Sequence, residues 1–183
     1  MPEWLEDFLA PFREPWKPVG WPSVAAAVAF PLLVFLGRQS TDGSWTPLLD
    51  GVNLAFHEVG HPLFGIFGNE VLTALGGSLF QVIIPLVVLG SFAYRRDTLG
   101  VAIAFQWAAE NLLYVATYIA DSRVQELPLV GGGEHDWAFI LGEWGLLKQD
   151  LAIAGAVRTA GWVGMALALG WLLWRRQAST TED

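Results

Sequence analysis

The chain has 183 residues, a net charge of −8 and 15% charged side chains, while 54% are hydrophobic and ten are tryptophan. A typical soluble domain is roughly 25% charged, so most soluble classes are excluded, and the acidic balance argues against a nucleic-acid partner. With no cysteine, disulfides, thiolate metal sites and cysteine nucleophiles are excluded as well.

This composition describes an all-α integral membrane protein whose first partner is the lipid bilayer. Residues 1–18 come first, with Trp4, Leu5, Phe8, Leu9 and Phe12 at helical spacing and acids between them. They are expected to lie on the membrane surface as an amphipathic segment. The basic start and short apolar run of a cleavable signal are missing.

Residues 19–174 read as a single polytopic membrane domain. A helix needs about 20 apolar residues to span the hydrocarbon core. About five segments qualify: Val19–Gly37, Trp45–Phe67, Val71–Tyr94, Leu99–Ala120 and Leu151–Trp174. The second is interrupted by Asp50, Asn53, His57, Glu58 and His61. Residues 175–183 form a polar tail. If all five spans alternate in direction, Arg38, Arg95, Arg96, Arg175 and Arg176 share one side, facing Arg13, Lys17, Arg123 and Lys148 on the other. Basic residues favour the cytoplasm. A multi-pass plasma-membrane protein with an outside N-terminus and a cytoplasmic C-terminus is therefore expected.

His57-Glu58-Val59-Gly60-His61 is an H-E-x-x-H sequence within a helical segment. Spacing of i, i+4 puts both imidazoles on one helix face, which suits two ligands of one zinc ion. The intervening carboxylate can act as a general base. Each of these groups is costly within a membrane unless it has a partner. Asp50 and Asn53 continue the stripe; either can orient a ligand imidazole by its second nitrogen, though Asp50 better suits solvation at the helix entry. The fourth span carries its own polar sector, comprising Glu110, Asn111, Tyr114, Thr117, Tyr118 and Asp121, expected to face the bundle interior. A Gly-rich turn at 131–133 then delivers Glu134, His135 and Asp136. His135 or Asp136 can supply a third ligand; Asn53, Glu110, Asp121 and Glu134 can support it or hold a second ion. Asn111, Gln81 or a tyrosine of the fourth span can donate to a developing oxyanion.

The H-E-x-x-H run, followed by Gly76-Gly77-Ser78-Leu79-Phe80-Gln81 at the start of the next span, resembles the site-2 protease-like family of membrane-embedded zinc metalloproteases. The likeness covers Gly51–Pro85. It implies that His57 and His61 bind zinc and that Glu58 is the catalytic base. The family's third ligand, an Asp in an Asn-Pro…Asp-Gly type motif on a later span, has no counterpart here. His135 or Asp136 must take that place, with Asp136 favoured because it neutralises more of the ion's charge. The expected function is hydrolysis of a peptide bond of a membrane protein or peptide, in or near the bilayer. A zinc hydrolase acting on a lipid or small amide or ester, and a non-proteolytic dimetal membrane protein, are the alternatives.

Overall fold

The computed structural model describes residues 2–130 and 133–180. Among these residues the chain is helical and contains no strand. A short surface helix α1 (Glu3–Leu9) precedes α2 (Trp21–Gln39), α3 (Leu49–Gly65), α4 (Glu70–Tyr94) and α5 (Thr98–Ala120). A short α6 (Asp136–Glu143) and a long α7 (Asp150–Thr180) follow. Local chemistry fixes several of the starts. Asn69 and Asp97 cap α4 and α5 by accepting the amides of Leu72 and Gly100, each at 2.8 Å, which satisfies donors a helix leaves open. Helix α7 continues past residue 174 as far as Thr180, and the rest of the expected polar tail, residues 181–183, lies outside the described residues. Arg175–Ala178 are good helix formers with no breaker among them.

Among the described residues, four helical segments are long and apolar enough to cross a membrane: Trp21–Gln39, Glu70–Tyr94, Thr98–Ala120 and Leu147–Ser179. The fifth expected span is α3. Its 17 residues reach only about 26 Å at 1.5 Å per residue, short of a hydrocarbon core of about 30 Å.

Contacts along the bundle give the helix directions. Gln106 donates to the carbonyl of Ala27 at 2.9 Å and Arg38 donates to Thr117 at 2.6 Å, so α2 and α5 run parallel. Trp107 donates to Asn53 at 2.9 Å, while the His57 ring lies 5.7 Å from Tyr118, so α3 runs the same way. Consecutive helices α2 and α3 therefore point in one direction. Residues 40–48 turn back into the bundle, and α3 starts level with the middle of α5.

Irregular backbone at membrane depth is tolerated only where protein supplies its hydrogen bonds. Here Arg38 donates to the Gly43 carbonyl, and Asp50 accepts the Thr46 amide at 2.6 Å. Asp50, fully buried, is thus part of the return and not a solvated helix entry. Thr46 and Asn53 in turn donate to the two carboxylate oxygens of Glu110 at 3.0 and 2.8 Å.

Residues 16–21 and 171–176 lie together at one end of the bundle. Lys17 pairs with Asp97 at 2.7 Å, Trp16 packs on Trp171 at 5.6 Å, and Arg176 sits 3.9 Å over the Trp21 ring. This corrects the expectation of termini on opposite sides. That expectation let α3 reverse the chain, which it does not do. Arg13 and Lys17 accordingly join Arg95, Arg96, Arg175 and Arg176, and Arg38 moves to the other end.

Candidate metal centre

His57 and His61 project from one face of α3 with ring centroids 4.8 Å apart. Each ring is held through Nδ1: that of His57 meets the Gln81 amide oxygen at 3.2 Å, and that of His61 meets the Thr73 carbonyl at 3.0 Å. A hydrogen bond of this kind fixes the tautomer and leaves Nε2 as a donor to a metal. Helix α4 reaches the rings because it presents Gly77. A Cβ there would stand 2.7 Å from His57 Nε2 and 2.8 Å from His61 Nε2.

Asp136 closes the group. It is the first residue of α6, and its amide donates to the Tyr118 hydroxyl at 3.2 Å. Its Oδ2 lies 3.0 Å from His57 Nε2 and 3.4 Å from His61 Nε2. One donor atom from each of His57, His61 and Asp136 falls within 4.8 Å of the others. Donors about 2.0–2.1 Å from a tetrahedral zinc are about 3.3–3.4 Å apart, and the Asp136 oxygen stands close to that separation from both nitrogens. The electrostatics point the same way. Thr73 offers only a carbonyl, so His61 Nδ1 carries a proton, and a neutral ring then turns a bare Nε2 lone pair toward a carboxylate oxygen. Two acceptors facing each other repel unless a proton or a metal cation lies between them.

Sequence pattern named other candidates, and their places differ. His135 caps α6, with Nδ1 accepting the Ala138 amide and Nε2 meeting Asp121, both at 3.2 Å. Its ring lies against Tyr118 at 4.2 Å. Both its nitrogens are engaged away from the two α3 histidines, which leaves Asp136 as the third donor. Asp121 also accepts the amides of Glu126 and Leu127, at 2.9 and 3.2 Å, and so orders the loop after α5. Asn111 does not face the site. Its amide donates to Asn53 at 3.2 Å and to the Trp107 carbonyl at 3.1 Å, so its hydrogens are committed. Asn53 and Glu110 belong to that same buried network, one helical turn from His57. Gly131 and Gly132 of the glycine-rich turn lie outside the described residues.

No protein-family model, curated protein or solved structure matches the chain. Geometry and chemistry alone carry the reading of this site.

A cavity of about 640 Å³ opens beside the three donors, lined also by Glu58, Glu70, Tyr118 and Glu134. Glu58 is half-buried and faces this space from the turn of α3 that carries His57. Two contributors had escaped sequence reasoning. The Thr73 carbonyl is backbone and leaves no signature. Arg38 read as a span-end charge, yet it is buried and approaches Asp50 to 3.9 Å.

Proposed function

We propose that the protein is a membrane-embedded zinc metallopeptidase of the plasma membrane that cleaves a peptide bond at the bilayer surface or within it. The observation that carries this reading is the convergence of His57 Nε2, His61 Nε2 and an Asp136 oxygen beside an open cavity. Two imidazoles and one carboxylate form a donor set suited to catalytic zinc, which keeps a further position for water or substrate. Zinc, when bound, polarises a carbonyl and lowers the pKa of water toward neutrality. Glu58 takes the proton from the attacking water and returns it to the leaving amine. Tyr118 borders the same cavity and is the side chain best placed to donate to the developing oxyanion.

The likeness to site-2 protease-like enzymes supports the same assignment of His57, Glu58 and His61. A two-metal reading has less support, because Glu110 and Asp121 spend their oxygens on other partners.

The basic residues supply a sidedness. Arg13, Lys17, Arg95, Arg96, Arg175 and Arg176 gather at the end of the bundle opposite the histidines, and such an excess marks the cytoplasmic face. Both termini are then cytoplasmic, and the cavity opens to the outside. Substrates are peptides or membrane-protein segments presented from that side.

The test compares wild type with Glu58→Gln on a quenched peptide library in detergent or vesicles. The amide keeps the shape but cannot accept a proton, so the variant loses hydrolysis by about 100-fold or more with zinc retained. Activity within ten-fold of wild type removes Glu58 from this role.

A further inference from the structure

A second cavity of about 230 Å³ shares His57, Glu58 and Tyr118 with the open one. Trp45, Leu54, Tyr114, Leu127 and Pro128 line it, together with Thr117. Leu129 and Val130 line both cavities, so the segment after α5 runs past the metal-facing carboxylate and joins the two spaces. We propose that this smaller, mainly apolar cavity receives the side chain of a large apolar residue, leucine or phenylalanine in size, next to the cleaved bond of a peptide substrate. The proposal rests on the peptidase reading and names the substrate class of that site.

Three observations carry it. The cavity touches Glu58 and His57, so whatever fills it lies within one residue of the reacting bond. Its volume suits one side chain: a cavity of about 150 Å³ holds benzene, whereas whole ligands use roughly 300–1,000 Å³. A long acyl chain has no room. Its chemistry also sets the direction of the substrate. The open cavity carries Glu70 and Glu134 besides Glu58, whereas the smaller cavity shares only Glu58 with it among these carboxylates, so the apolar residue goes to the smaller cavity and the rest of the chain to the open side. Trp45 gives this wall its rigidity by packing edge-on against Tyr114 at 5.7 Å. The return of residues 40–48 into the bundle is what brings Trp45 there.

The experiment has two parts. Zinc-loaded wild type and Leu54→Trp are given peptides that differ at one position as Gly, Ala, Leu or Phe, and kcat/KM is measured for each. Wild type should favour Leu and Phe over Ala by at least about ten-fold, the scale of discrimination in apolar pockets. Leu54→Trp narrows the cavity, and its Phe-to-Ala ratio should fall at least ten-fold. Separately, zinc-loaded Glu58→Gln is irradiated with the same peptide carrying photo-leucine at that position. Cross-links should map to Trp45, Leu54, Leu127 or Pro128. Cleavage of peptides without an apolar preference, an unchanged ratio in Leu54→Trp, or cross-links confined to Glu70 and Glu134 each overturns the inference while the peptidase reading stands. No cleavage of any peptide by wild type overturns both.

Discussion

His61 Nε2 stands 3.4 Å from Asp136 Oδ2, while its own Nδ1 is pinned to the Thr73 carbonyl. These two residues come from helices far apart in sequence, and only a shared cation or proton makes their approach favourable. Asp136→Asn keeps the shape and removes the charge. Zinc affinity should fall by about 100-fold or more, beyond the 10–100-fold typical of residues that merely support a ligand. His135→Ala should leave affinity within about three-fold and lower thermal stability, because it removes a helix cap worth about 1 kcal/mol. Isothermal titration of both variants checks the pair. Equal losses would return His135 to the ligand set.

Gly77→Ala isolates the approach of α4. In an ordinary helix this change stabilises by about 1 kcal/mol. Here the added methyl would meet the Nε2 atoms of both histidines within 2.8 Å. The variant should bind zinc at least ten-fold more weakly, with a lower melting temperature in the metal-loaded state. A stabilised variant with intact affinity would mean that α4 does not pack against the rings as described.

Much of this centre was legible in the sequence because its chemistry is written in side chains. His57, Glu58 and His61 announce themselves by spacing, and Asp136 by the polar run that carries it. What hydropathy cannot show is direction. The segment Trp45–Phe67 had the length of a span, yet Trp45–Leu48 belong to the return and α3 rises parallel to α2. That one reversal moved the N-terminus, Arg38 and Asp50 to places their local sequence did not suggest. Asn111 was misjudged for a related reason. It shares a helical sector with Tyr114 and Tyr118, but Asn53 and Trp107 meet it before any cavity does.

The return has its own test. Asn53 accepts from Trp107 and Asn111 and donates to Glu110, and it is fully buried. Asn53→Leu strands those partners, and each buried orphan costs about 1–3 kcal/mol. The variant should unfold at markedly lower temperature while the zinc affinity of its folded fraction stays within a few-fold. A neutral effect on melting would contradict the network described.

Topology can be read directly, since the chain has no native cysteine. Single cysteines at Glu14 and Ser179 should both label from the cytoplasmic side, and one at Glu126 only from outside. Labelling of Glu14 and Ser179 from opposite faces would reinstate an odd number of crossings. Reversal of all three would leave the fold intact and overturn the sidedness.

The most direct measurement is metal stoichiometry and ligand distance in the purified protein. Elemental analysis should give about one zinc per chain, and X-ray absorption should find only nitrogen and oxygen neighbours at about 2.0–2.2 Å. His57→Ala, His61→Ala and Asp136→Ala should each lose that ion. A folded protein that takes up no zinc when supplied with it, or variants that hold it as well as wild type, would contradict the metal centre on which the account depends.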